Sequence, residues 1–185
     1  MKLLAHLLLL ISLSGLTGAA IVSHQTPDLD AVKVTDASVI DIADLLGQAI
    51  IKRSAPVEIT EADLNRYLAA TLAGKQDGRT AGIAAFEKAL VDLEPGQARI
   101  TLCWLVGTHR TTTSLDLHVG VQSGQHQAEI TSGSYGRMPV ARGFLLPVMP
   151  AYQALVVACT PEIKLVLNMT KIRIAKDKLV LDPRF

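Results

Sequence analysis

Aromatic side chains are scarce in this sequence of 185 residues: Phe, Trp and Tyr together make up 4%. Any core it forms is therefore aliphatic, drawn from Leu, Val, Ile and Ala. Charge is sparse as well, at 19%, and neither sign is in excess; with Lys2 set aside, 17 basic residues face 17 acidic ones. Such a balance excludes the basic stripe that marks a nucleic-acid-binding surface. It also excludes the polybasic cluster that holds a protein to anionic lipid by charge alone. Cysteine is limited to Cys103 and Cys159, both with apolar flanks and at a spacing that makes no metal site. In an oxidising compartment the two could close a long loop as a disulfide; as buried thiols they would pack as small hydrophobes. A P-loop, a GxGxxG turn, an HExxH helix and a cysteine quartet are all missing. What the chain does have is 49% hydrophobic residues over a length suited to one domain, enough for a core and too many for global disorder.

The N-terminus carries the most direct statement about destination. Lys2 precedes an apolar run from Leu3 to Leu13, and small residues follow at Ser14, Gly15, Thr17, Gly18, Ala19 and Ala20. Positive, apolar and small, in that order, is the pattern of a secretory signal peptide, here with cleavage after Ala19 or Ala20. The second reading is an uncleaved membrane anchor, because Leu3 to Val22 has the roughly 20 residues needed to cross the hydrocarbon core. Weaker hydrophobicity in its second half and the lone His6 favour cleavage. In both cases Lys2 stays inside and the rest is exported, to the periplasm or the outer side of a bacterial inner membrane. The organisation expected is a leader over 1–22, a tether over 23–36 and one domain over 37–185.

Along that domain, Ala37 to Arg53 has helical spacing (Val39, Ile42, Leu45, Leu46, Ala49, Ile50) with Lys52 and Arg53 at its C-terminal end, and Pro56 follows. Val57 to Ile59 is a short extended piece. Thr60 then caps a helix, with Asp63 three residues on, and Leu64, Tyr67, Leu68 and Leu72 form its apolar stripe. Gly74 and the loop Gln76-Asp77-Gly78 end it. From Ala84 to Met138 the period changes to two. One hairpin turns at Pro95-Gly96. A second, with Leu115, Leu117, Val119 and Val121 on one face and Ser114, Asp116, His118 and Gly120 on the other, turns at Ser123-Gly124. Three prolines break regularity from Met138 to Pro150. Ala151 to Ala158 is an apolar helix that restarts at Thr160-Pro161, and a last hairpin pairs Ile172 and Ile174 with Leu179 and Leu181.

Candidate chemistry is thin. Of the five histidines, His118 falls opposite Glu129 if the second hairpin has a two-residue turn, and a cross-strand surface contact is the simpler account of that pair. Gly133-Ser134-Tyr135-Gly136 lacks the spacing of a nucleophile elbow and reads as a turn between strand and helix. Asn168-Met169-Thr170 is formally a glycosylation sequon, taken as chance. We expect no catalytic residues, no metal and no cofactor. The suggestive feature is physical: wide apolar helix faces accompany a sheet of slender aliphatic residues, with few aromatics to fill the space between. Leu64, Leu68, Leu72, Leu115, Leu117 and Val119 would line an apolar groove able to take an acyl chain, or the same residues would close-pack into an ordinary core.

The opening helix ITEADLNRYLA, the meandering strands, the GRMPV segment before an apolar helix and the final IRIAKDKLVL resemble a loose group of bacterial periplasmic or membrane-anchored proteins. These in turn are similar to the tubular lipid-binding superfamily, in which a highly curved antiparallel sheet embraces a long helix and apolar ligands lie in the groove. The resemblance covers Val57 to Leu181 and brings no catalytic residue. The chain departs from lipidated members in having no cysteine at the processing site, and it has half the length of two-barrel members. The resulting expectation is an α+β domain, a strongly curved antiparallel sheet packed on two or three helices after an apolar leader helix. Its expected role is non-catalytic binding of a lipid or other apolar small molecule, with membrane contact through the leader if that stays uncleaved and no nucleic acid. The alternative is a structural or assembly protein of the envelope with a protein partner.

Overall fold

The structure, a computed structural model, describes residues 2–27, 39–53, 55–73, 84–122 and 125–184. The period-two stretch becomes a five-stranded antiparallel meander of β2 (Ala85–Glu94), β3 (Gln97–Val106), β4 (His109–Gln122), β5 (Gln125–Tyr135) and β6 (Met138–Ala141). Its hairpins have the expected partners: Glu94 opposes Gln97, and His118 opposes Glu129. Residues 123–124, where the second turn was expected, lie outside the described residues, although Gln122 opposing Gln125 is the register such a turn requires. So do Gly74 and the loop after it, and residues 28–38, which hold most of the expected tether.

The fold class is α+β, as expected, but the strands make two sheets rather than one. Val57–Thr60 (β1) pairs with β8 (Lys178–Asp182), and β8 pairs with β7 (Lys171–Ala175), in the order β1-β8-β7. The last hairpin has the predicted register, Ile172 against Leu181 and Ile174 against Leu179. Its turn is also the clasp between sheets. Asp177, at φ 58, gives its N–H to Leu93 O at 3.0 Å and accepts the Glu61 N–H at 2.9 Å, while Gly96 N–H reaches Ile174 O at 3.1 Å.

Helix α1 spans Lys2–His24, two residues beyond the expected leader. Helix α2 covers Ile42–Lys52 and starts later than periodicity alone implies, because the Asp41 side chain accepts the Asp44 N–H and fixes the N-terminus there. Helix α3 (Glu61–Ala73) is capped as its sequence dictates: Thr60 Oγ1 accepts from Asp63 N at 3.1 Å and donates to the Asp63 carboxylate at 2.6 Å. Its apolar stripe is divided between two cores. Leu68 and Leu72 join Ala89, Leu102, Leu115, Leu145 and Tyr152. Leu64 and Tyr67 pack against Ile42, Leu46, Ile59, Met169 and Leu181.

The polar side chains between those apolar positions cover the free edge of β2. Asn65, 1% exposed, accepts the Val91 N–H at 2.6 Å and donates to Val91 O at 2.8 Å, and Glu61 accepts the Leu93 N–H at 2.8 Å. An α-helix thus supplies the hydrogen bonds of a missing strand and closes an edge that would otherwise be open to pairing. Burial raises the Glu61 carboxyl above its ordinary 4.5, against the lowering effect of the Leu93 N–H, and Asp92, Asp177 and Glu94 add to the rise. The folded chain therefore holds this proton more tightly than the unfolded chain. Stability then falls as pH rises from below 4.5 through the raised value and stays lower above it. Glu61→Gln keeps an acceptor for Leu93 and removes the titration. Urea unfolding from about pH 4 to about pH 7 should show the wild type losing stability relative to the variant as pH rises; a constant difference would mean that Glu61 ionises normally.

Met138–Pro150, expected to be irregular, instead forms β6 and then a 3-10 helix, Arg142–Val148. Helices α4 (Met149–Ala158) and α5 (Thr160–Leu167) follow as expected, each with proline in its first turn. Gly133-Ser134-Tyr135 is the end of β5 and not a turn into a helix; the turn is Gly136-Arg137, between β5 and β6. The bare backbone at Gly133 lets the 3-10 helix lie on the sheet, since a Cβ there would fall 2.8 Å from Leu145 Cδ2 and against the carbonyl oxygen of Ser114. Cys103 is buried, Cys159 is half-buried, and the two do not form a disulfide.

Candidate functional site

The six groove residues predicted from sequence do not share one surface. Leu68, Leu72 and Leu115 are buried together in the core beneath the large sheet, and Leu64 belongs to the second core. Leu117 and Val119 are half-buried farther along β4. Between sheet and helices lie side chains of the chain itself. Leu145 packs on Gly133, and Tyr152 is seated by its hydroxyl, which donates to Thr113 O at 2.7 Å. The stretch from Leu145 to Cys159 thus fills the space where the groove was expected.

The polar face of the sheet carries a shallow depression of about 80 Å³ lined by Asp92, Glu94, Gln97, Ala98, Arg99 and Asp116. Its central carboxylate is already engaged: Asp116 accepts from Arg99 Nε at 2.6 Å and from Ser132 Oγ at 2.6 Å. Burial pushes the Asp116 carboxyl up, but these two bonds outweigh it and hold it below its usual value. Among the described residues no group of three His, Cys, Asp or Glu side chains converges to hold a metal ion.

More distinctive is what the covering segment leaves outside. As the 3-10 helix and α4 bury Leu145 and Tyr152, they expose Phe144 (72%), Leu146 (73%), Val156 (54%) and Val157 (73%). From Ile130 to Pro161 the sequence has no acidic residue, while Arg137 and Arg142 are both exposed. Among the described residues no single helix is long and apolar enough to cross a membrane. Arg142–Ala158 and Thr160–Leu167 reach that length and composition only as a pair bent by 74°.

The end of α1 is held at the same end of the sheet. Arg137 donates its backbone N–H to Val22 O at 3.2 Å and its Nε to Thr26 O at 3.2 Å. Gly136, at φ +55, makes room for the passing backbone: a Cβ there would fall against Ser23 O and 2.6 Å from Gln25 O. On β5, Tyr135 links this junction to the exposed apolar segment through its hydroxyl, which donates to Phe144 O at 2.8 Å. Sequence reasoning missed Arg137 and read Gly136 as part of a strand-to-helix turn. The signal it had was GRMPV, a glycine and a basic residue at a strand end with no acidic residue near.

No protein-family model, no curated protein and no solved structure matches this chain.

Proposed function

We propose that this chain is a non-catalytic lipid-binding protein of a cell envelope, which lies on a bilayer with its 3-10 helix and the start of α4 against the lipid. The observation that carries this reading is the exposure of Phe144 and Leu146 at 72% and 73%, on a segment that buries Leu145 and Tyr152. Isolated exposed apolar residues are ordinary, whereas two large ones on either side of a core residue, within one turn of 3-10 helix, form a contact surface. The absence of acidic residues from Ile130 to Pro161, together with exposed Arg137, suits anionic headgroups, while Arg142 lies 3.8 Å from the Glu129 carboxylate. The geometry is that of an element lying in the interface plane, and the acyl chains meet the domain from outside rather than within the groove expected from sequence.

Transferring Phe144 and Leu146 from water to the acyl boundary is worth about 4 kcal/mol together. That corresponds to roughly a 1,000-fold preference for the docked state. The full chain carrying Phe144→Trp in a Trp104→Phe background, reconstituted in phospholipid vesicles, should give blue-shifted emission quenched by brominated acyl chains. Adding Leu146→Asp should restore a water-exposed spectrum. An unquenched, red-shifted tryptophan in the first variant would overturn the proposal.

The assembly reading has one observation of its own. Strand β6 pairs with β5 only from Ser132 to Tyr135. Among the described residues no strand covers the outer edge from Gln125 to Thr131, a place for strand addition by a partner.

A further inference from the structure

The small residues that suggest a cleavage site, Gly18, Ala19 and Ala20, lie within α1, which runs on without a break to His24. We infer that α1 is retained and enters the bilayer that receives Phe144 and Leu146. One composite surface, built of α1, Arg137 and the 3-10 helix, then meets the lipid. The retention of α1 goes beyond the function proposed above, and the shared bilayer rests on it.

The end of α1 is built into the domain. Val22 and Ser23 are half-buried, as are Thr26 and Pro27 beyond the helix. The Val22 carbonyl accepts the Arg137 N–H at 3.2 Å, and the Thr26 carbonyl accepts Arg137 Nε at 3.2 Å. The carbonyls of Ser23 and Gln25 pass over the bare backbone of Gly136. Ser23 Oγ donates back to Ala20 O at 2.8 Å, the carbonyl that a peptidase would attack to cut after Ala20. Such a cut would leave Ile21 to His24, a single turn. The first turn of a helix is its costly nucleus, and a lone turn does not hold itself in water. Arg137 thus reads the end of a helix, and the turns upstream keep that end in shape.

Those upstream turns do not pack into the domain. Among the described residues, neither hydrophobic core includes a residue of α1, and the contacts of the helix fall on β4, β5 and β6. Leu10, Ile11, Leu16 and Ile21 are each more than half exposed. A helix satisfies its own backbone and so enters hydrocarbon without losing hydrogen bonds. Its apolar side chains then gain the free energy of transfer from water.

Position decides which end of the domain faces the lipid. Gly136 and Arg137, which hold the end of α1, form the turn between β5 and β6. Tyr135, beside them, donates its hydroxyl to Phe144 O at 2.8 Å. The exit of α1 and the exposed Phe144 and Leu146 therefore share one end of the sheet. Arg137 is exposed at that junction, at the level where anionic headgroups lie. A helix leaving from the opposite end would hold Phe144 and Leu146 away from the bilayer.

The test uses the full chain, produced in a bacterial host with its export machinery. The intact mass of the wild type should include all of α1; a chain beginning at Ala20 or Ile21 overturns the inference. The protein is then reconstituted in vesicles of phosphatidylglycerol and phosphatidylcholine with brominated acyl chains. Leu16→Trp in the Trp104→Phe background should be quenched, as a tryptophan at position 144 is. Quenching at position 144 without quenching at position 16 overturns the inference and leaves the lipid surface standing. Quenching at position 16 alone removes the lipid surface, and the composite surface with it. Leu146→Asp added to Phe144→Trp should lose the quenching at position 144 yet still float with the vesicles, because α1 holds the chain there. Release of that variant from the vesicles would show that α1 does not anchor the chain, and overturns the inference.

Discussion

Replacing Asn65 by alanine is expected to lower the unfolding free energy by about 3 to 5 kcal/mol, read as a shift of the urea midpoint at unchanged slope. The side chain is 1% exposed and forms both outward hydrogen bonds of Val91, at 2.6 Å from its N–H and 2.8 Å to its carbonyl. Without it, two buried backbone groups lose their partners, and each unsatisfied group costs about 1 to 3 kcal/mol. Against a total of roughly 5 to 15 kcal/mol for a domain, that is a large share. Asn65→Asp is informative because it keeps the shape and the acceptor for the Val91 N–H. It loses the donor and sets a carboxylate against the Val91 carbonyl, so it should be no better than alanine at neutral pH. A midpoint change below about 1 kcal/mol in the alanine variant would mean that the edge of β2 is satisfied without Asn65.

Gly136→Ala is expected to release the end of α1 while leaving the sheet folded. A left-handed φ costs a non-glycine residue about 1 to 2 kcal/mol, and the added Cβ would meet Ser23 O and lie 2.7 Å from Ser23 C and 2.6 Å from Gln25 O. These are backbone atoms, so relief comes by displacing the chain and not by turning a side chain. The bonds lost are those from Arg137 to Val22 O and Thr26 O, together about 2 kcal/mol. Hydrogen exchange at the Arg137 amide should accelerate roughly 30-fold, with amides in the middle of β3 unchanged. Unaltered exchange at Arg137 would show that the junction does not depend on a bare backbone at position 136.

Much of the local architecture could be read from the residues. The pair Thr60 and Asp63 marks the start of α3, and the structure shows both of its hydrogen bonds. Strict alternation through Ile100, Leu102 and Trp104, and through Leu115 and Leu117, gave the central strands. Turn residues gave the register of the hairpins, including His118 against Glu129 and Ile174 against Leu179. Each of these signals is carried by residues within a few positions of one another, where backbone geometry limits the alternatives. The candidate site was less accessible. Leu64, Leu68 and Leu72 were recognised as one stripe, but not that the stripe is split between two cores. Asn65, in the middle of that helix, carried no sequence signal, because its value lies in the unpaired groups of Val91.

The sequence by itself determined the α+β class, the apolar N-terminal helix, the capped start of α3 and the strand pairings made across short turns. The tertiary structure alone decided that Val57–Thr60 joins Lys178–Asp182 in a second sheet, that α3 closes the edge of β2, and that the 3-10 helix and α4 fill the sheet and so turn Phe144 and Leu146 outward. The physical reason is that long-range packing among generic aliphatic side chains has little directional code. Leu145 and Leu146 are chemically identical neighbours, and the one that is buried is the one that meets the bare backbone of Gly133 on β5.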